Sequence, residues 1–262
     1  MRKTRSLVGL ASGLLAVAAA FGAHAMSVTA LYEARLVIDL ASLRTDQVIT
    51  PQGFKAGARL TTIGALGVIK SSSILAQADG GVAYGAPAPA VYIQTQKNKR
   101  RVIHYAPGGG PRSLADPLTQ VLRVALQSSR GSPCVGVTPI YDGRQRYDLT
   151  LSPANAGGLA PPPAQFGLIR PLACRMSFHP ISGFSGGPPK KSPFVSSAPV
   201  ATFAFEPHGG VWVLTDVMVP TLVGAGHISL TSLHIDGARP VFASPAPVRT
   251  PPANKTSGHK PD

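Results

Sequence analysis

The stretch whose reading decides the fold is Ser113-Leu-Ala-Asp-Pro-Leu-Thr-Gln-Val-Leu-Arg-Val-Ala-Leu-Gln127. Asp116 is a good N-cap, because its carboxylate accepts from an orphan backbone N–H, and Pro117 suits the first helical position, where no N–H is needed. Together they predict a helix over 117–128. Leu118, Val121, Leu122, Ala125 and Leu126 recur at helical spacing and form one apolar face that must be covered. Cys134 follows, and then Ile140-Tyr-Asp-Gly-Arg-Gln-Arg-Tyr-Asp-Leu-Thr-Leu151. Asp142-Gly143 between two strand-like runs predicts a two-residue type I′ hairpin with φ > 0 at both central residues. That turn sets Tyr141 opposite Arg144 and Ile140 opposite Gln145. One face then gathers Tyr141, Arg144, Arg146 and Asp148, read as a surface ion-pair ladder. The other carries Ile140, Tyr147 and Leu149, read as core. A helix lying on a sheet is specified here; an activity is not.

On either side of this stretch the chain reads as short strands. Leu31 to Leu40 alternates, with Tyr32, Ala34, Leu36, Ile38 and Leu40 on one face and Glu33, Arg35 and Asp39 on the other, the pattern of a half-buried strand. A second strand spans Gly53 to Thr62, and Ile63 to Ile69 reads as a short helix or a strand. Further strands fall at Ser72–Ala78, Val91–Thr95 and Arg101–Tyr105, with Ala86-Pro-Ala-Pro89 as a linking turn. Others fall at Val200–Phe205, Gly210–Val219 and Gly226–Ile235. The segments 157–163 and 183–197 are Pro/Gly-rich loops, the second carrying Lys190 and Lys191. These readings make the protein mainly β: a curved antiparallel sheet or half-barrel with one covering helix. A single β-rich domain occupies 26–236, and 237–262 is a Pro/Ala/Lys-rich tail of disordered composition.

The first residues read as a cleavable secretory signal: Met1-Arg-Lys-Thr-Arg5, an apolar run from Leu7 to Ala20, and Ala23-His-Ala25 as the cleavage site. The apolar run is shorter than the roughly 20 residues of a spanning helix, and no cysteine follows it to take a lipid anchor. The expectation is an exported, periplasmic protein that is not an integral membrane protein. Losing Arg2, Lys3 and Arg5 with residues 1–25 lowers the formal charge from +14 to +11. That excess points to anionic envelope surfaces, and export argues against nucleic acid. In an oxidising compartment the two cysteines, Cys134 and Cys174, pair as a structural disulfide. A redox-active pair is the rival reading, without a Cys-x-x-Cys spacing to support it.

Gly183-Phe-Ser185-Gly-Gly187 matches the Gly-x-Ser-x-Gly pattern of a nucleophile elbow, which needs a strand before the serine and a helix after it. Pro188-Pro189 follows at once and forbids that helix, so a serine hydrolase at Ser185 ranks third among the readings. His227 and His234 stand seven apart on one strand and face opposite sides, so they cannot share a metal; His104, His179 and His208 are scattered. No catalytic, metal or cofactor-binding residue is assigned, and no cofactor is expected. Lys97-Asn-Lys-Arg-Arg101 is either a solvated hairpin end or an anion contact. The candidate anion contacts are Lys97, Lys99, Arg100, Arg101, Arg144 and Arg146. Gly108-Gly-Gly-Pro111 lacks the Lys-Ser/Thr ending of a phosphate loop.

Asp116-Pro-Leu-Thr, Cys134, Tyr141-Asp-Gly-Arg-Gln-Arg-Tyr-Asp-Leu149 and Cys174-Arg-Met-Ser-Phe-His-Pro-Ile-Ser-Gly183 together resemble the proteobacterial exported family catalogued as domain of unknown function 3108. The resemblance spans roughly Ala30 to Ile235 and implies a cell-envelope setting, but it brings no established activity or catalytic residues. In shape, a curved sheet capped by a helix is similar to the lipoprotein-carrier proteins of the periplasm, an analogy of fold alone. The leading expectation is a non-enzymatic binding or envelope-maintenance protein with an apolar, lipid-like ligand. The alternative is an interaction module whose basic loops bind anionic envelope components.

Overall fold

The computed structural model describes residues 25–36, 38–64, 72–97, 99–106, 113–128, 131–134, 136–155, 162–184, 197–222 and 224–242. Most of the signal-like segment, Ser185, the 108–111 glycine run, Lys190 and Lys191, and 243–262 lie outside them. Twelve strands run in order: β1 Met26–Arg35, β2 Asp39–Ile49, β3 Gly53–Thr62, β4 Ser73–Ala83, β5 Ala86–Gln96 and β6 Lys99–His104; then β7 Gly136–Tyr141, β8 Arg146–Pro153, β9 Ile169–Ser182, β10 Val200–Glu206, β11 Val211–Thr221 and β12 Gly224–Asp236. Among the described residues, α1 (Pro117–Ala125) lies between β6 and β7, and most of the expected short helix or strand at 63–69 falls outside them.

All strands join one antiparallel sheet in the order β6-β5-β4-β3-β2-β1-β12-β11-β10-β9-β8-β7. Every strand therefore pairs with its neighbours in sequence except at β6/β7, and β1 pairs with β12. This is an up-and-down barrel path with one ladder missing, so the sheet stays open. Two short links cross the seam. Ala115 forms a parallel bridge with Ile140, its N–H donating to the Pro139 carbonyl at 3.1 Å while its own carbonyl accepts from Tyr141 N–H at 2.9 Å. The Tyr105 hydroxyl donates to the Tyr141 carbonyl.

The inward face follows from the register. Met26, Val28, Ala30 and Tyr32 of β1 are buried, with Ile49, Phe54, Ala56, Ala76, Ala78 and Tyr92 in the same core. Alanines pair on the inward face at Ala56–Ala78 and Ala58–Ala76 across β3 and β4, two strands that the helix touches, and their small side chains leave room for it. Outward positions carry Thr29, Arg44 and Asp46, which hydrogen-bond one another.

As expected, Asp116 caps the helix, its Oδ1 accepting from Leu118 N–H at 2.8 Å and Thr119 N–H at 2.9 Å. The helix ends at Ala125, three residues before the expected 128. Gln127 N–H turns to the Val124 carbonyl at 3.2 Å, a tighter bond that closes the last turn. Its covered face also differs from the expected one. Leu122 and Leu126 are buried, but Val121 is 47% exposed, while Thr119, Gln120 and Arg123 of the supposed polar side are buried. The reason is placement inside the curl of the sheet, where strands of both halves and the segment before the helix surround it. Arg123 is satisfied there: its Nε donates to the Pro87 carbonyl at 2.9 Å and Nη1 to the Ser113 carbonyl at 2.8 Å.

Other corrections concern turns. The alternation from Leu31 to Leu40 is not one strand: β1 ends at Arg35 and β2 starts at Asp39. A tight turn with Leu36 N–H on the Ile38 carbonyl separates them, so the pattern crosses a hairpin by coincidence of parity. β2 was not legible as a strand of its own, since Ser42, Arg44, Asp46 and Gln47 dilute its apolar signal. Ala86-Pro-Ala-Pro89 is the start of β5 rather than a turn. Pro87 and Pro89 fit because β6 pairs only with Val91 to Gln96, leaving their missing N–H groups on an unpaired side. The turn lies at Tyr84-Gly85, both with positive φ.

The β7–β8 loop has four residues, and Tyr141 faces Arg146 while Ile140 faces Tyr147. Only Gly143 takes positive φ. Asp142 instead accepts Arg144 N–H at 2.8 Å and Gln145 N–H at 2.7 Å on its carboxylate, an Asx turn that competes with the type I′ geometry. The shift is two residues, so the faces survive: Ile140 is buried and Arg146 exposed. Arg144, however, leaves the strand for the loop. Ion pairs elsewhere in the sheet include Arg35–Glu33, Arg35–Asp39, Arg44–Asp46 and His227–Asp216.

Cys134 and Cys174 form a disulfide, which ties the loop after the helix to β9 and suits an oxidising compartment. Val124, Phe203, Phe205, Trp212 and the two cysteines make a second core there. Residues 237–242, grouped by composition with the tail, stay on the body: Arg239 N–H donates to the Gly209 carbonyl and Phe242 packs on the main core.

Candidate functional site at the open seam

Strand order places the connections at two rims. The β5–β6, β7–β8 and β9–β10 connections share one rim with the seam's open end, and the helix enters from the other. At the first rim, Gln94, Gln96, Lys99, Arg100, Arg101, Asp142, Arg144 and Gln145 line a cleft of about 490 Å³. Lys99 is opposite Gln96 and Arg101 opposite Gln94. Both therefore share the inward face of Ile103 and the buried Tyr92, their partners farther along the same ladder. The Arg101 Nη1 donates to Gln94 Oε1 at 3.3 Å.

Two glycines let the hairpin form the far wall. A Cβ on Gly143 would collide with the Ile103 side chain and with Arg101 Cδ, and one on Gly183 with the Arg144 carbonyl. Gly183 thus brings the end of β9 onto the hairpin, with Phe184 following it. Phe184 stacks edge-on against Phe178 at 5.9 Å, and Phe178 tilts against Tyr147 at 4.5 Å.

Of the six candidate anion contacts, Lys99, Arg100, Arg101 and Arg144 come together in this cleft, although 43 positions separate Arg101 from Arg144 in the sequence. Lys97 sits on the adjoining turn with φ +47°, and Arg146 begins β8; neither lines the cleft. Asp142 is the only acid of the lining, and its carboxylate is already engaged by two backbone N–H groups. The arrangement is a polar, cation-rich mouth suited to an anion.

Below the mouth the seam is lined by tyrosines. Burial pushes the hydroxyls of Tyr92 and Tyr105 well above the usual phenol range and that of Tyr147 up to about 12, with the nearby Asp116 and Asp142 charges adding to it. These phenols stay neutral, and that of Tyr105 donates to the Tyr141 carbonyl. Sequence reading missed this group because its members come from β5, β8 and the segment after β6.

A second cavity, about 110 Å³, lies between the helix and β1, β2, β10 and β11, and includes Met26, Tyr32, Leu43, Val121 and Trp212 in its lining. It is apolar and small. No trio of His, Cys, Asp or Glu positioned for a metal occurs among the described residues. Among them, too, no helix is long and apolar enough to cross a membrane. Compared with family models, curated proteins and solved structures, the chain matches none.

Proposed function

We propose that this is an exported envelope protein that binds rather than catalyses, taking an anionic ligand of the phosphate class at the seam. The observation that supports this best is the convergence of Lys99, Arg100 and Arg101 with Arg144 around one cleft. Its volume of about 490 Å³ lies in the range of roughly 300–1,000 Å³ typical of ligand sites. Arginine forks and a lysine ammonium fit phosphate oxygens by charge-assisted hydrogen bonds. The periplasmic setting rests on the signal-like N-terminus, the disulfide and the resemblance to the exported family. The test is an NMR titration with glycerol 3-phosphate. Binding is expected to weaken as ionic strength rises and to fall about tenfold in Arg101→Ser, the loss of one charge-assisted contact. Unchanged affinity in Arg101→Ser would overturn the assignment.

The cavity under the helix does not carry the other reading, an apolar ligand held in the core. At about 110 Å³ it is below the size of the roughly 150 Å³ apolar cavity that admits benzene, so an acyl chain does not fit there with the helix in place. Native mass spectrometry of the gently purified protein is expected to show no ligand held in that cavity.

A further inference from the structure

Two residues of the cleft lining, Gln96 and Lys99, also end a row that runs across the sheet. Following the register across the sheet, Leu230 faces Tyr32, Tyr32 faces Leu43, Leu43 faces Leu60, Leu60 faces Ile74, Ile74 faces Gln96 and Gln96 faces Lys99. Directly opposed residues share a face, so this is one continuous inward row that is apolar over five strands and ends in a cation. Exposure grades along it: Leu230 and Tyr32 are buried at 5% and 6%, whereas Leu60 is 38% exposed and Leu43 and Ile74 are half-buried. With strands about 4.8 Å apart, the stretch from Ile74 to Tyr32 is of acyl-chain length. Across the seam, Phe178 is 47% exposed beside Tyr147 and Phe184. Apolar side chains left half in water beside a cationic cleft match a ligand with an anionic head and an apolar tail.

We infer that the ligand is a single-chain anionic amphiphile, its phosphate or carboxylate head held by Lys99 and Arg101 and its tail laid along Ile74, Leu60 and Leu43. The inference rests on the anion site proposed above and adds the tail.

Three probes separate the parts, each used below its micelle concentration: lysophosphatidic acid, glycerol 3-phosphate, which is its head alone, and monoacylglycerol, which lacks the phosphate. Lysophosphatidic acid is expected to bind at least about 100-fold more tightly than glycerol 3-phosphate, since several methylenes leave water, and more tightly than monoacylglycerol. Leu60→Asp is expected to weaken lysophosphatidic acid at least about tenfold while leaving glycerol 3-phosphate unchanged. Val48→Asp, an exposed apolar position on the outward face of β2, is expected to change neither. Equal affinity for lysophosphatidic acid and glycerol 3-phosphate would overturn the tail and leave the anion site standing. Equal affinity for monoacylglycerol and lysophosphatidic acid, or no binding of any probe, would overturn both. An equal loss in Val48→Asp would overturn the assignment of the row.

Discussion

The sheet has two junctions where its path could close, and they differ in kind. β1 and β12, from opposite ends of the described chain, are joined by a ladder of nine residue pairs. β6 and β7, consecutive in strand order, share no ladder. The difference is what lies between them. Nothing is inserted at the β1–β12 junction, so two edges meet and satisfy their backbone groups. Between β6 and β7 the chain lays a helix inside the curl, against β3, β4, β5, β7 and β11, and the two edges stay apart. The Tyr105 hydroxyl and the Ala115 backbone replace a ladder there, and the unjoined stretch beyond them becomes the cleft. An open barrel with a helix inside its curl thus gains a mouth at the seam and a rigid wall opposite.

The comparison can be tested by weakening each junction in turn. The largest effect is expected from replacing Cys134 and Cys174 together by alanine, which frees the inserted segment from β9. A closed loop of 40 positions implies a loss of about 4 kcal/mol in the chain-entropy account, read as a lower urea midpoint. At the laddered junction, Leu230→Ala removes a buried side chain opposite Tyr32 and is expected to cost about 3 kcal/mol. At the seam, Tyr105→Phe removes one hydrogen bond, about 1 kcal/mol, and is expected to speed hydrogen exchange of the neighbouring Tyr141 amide. A seam variant as costly as the ladder variant would show that the seam is no weaker than the ladder.

The smallest effect concerns pH. Burial raises the Asp116 carboxyl above its ordinary value, against the pull of its hydrogen bonds to Thr119 and Leu118. The folded state therefore holds that proton more tightly than the unfolded state. Its contribution is fully present below the ordinary carboxylate value and is lost as pH rises through the elevated one. Asp116→Asn keeps the capping acceptor and removes the charge. The stability difference between wild type and variant is expected to change in that acidic window, in favour of the variant as pH rises. A difference flat with pH would place Asp116 in contact with water.

Much of the architecture was readable from local chemistry. Asp116-Pro117 marked the helix start, Gly53–Thr62 coincides with β3, and the three strands from Val200 onward fall where alternation put them. The turns were less legible, because Asp142 has two competing options, an Asx turn and a left-handed backbone, and the sequence alone does not choose between them. The candidate site was half visible. The cations were evident as a run and a hairpin, but nothing in a linear reading joins Arg101 to Arg144. Nor does it show that Leu43, Leu60 and Ile74 share a row with Lys99, because that depends on registers across four ladders.

The sequence by itself determined the element types, the helix cap, the mainly β class and the cationic segments, because these follow from side-chain periodicity and local backbone preference. Only the tertiary structure decided where the sheet opens, which face of the helix is covered and which cations meet. Those outcomes depend on fitting a helix inside a curled sheet, a constraint of volume that no short stretch of chain contains.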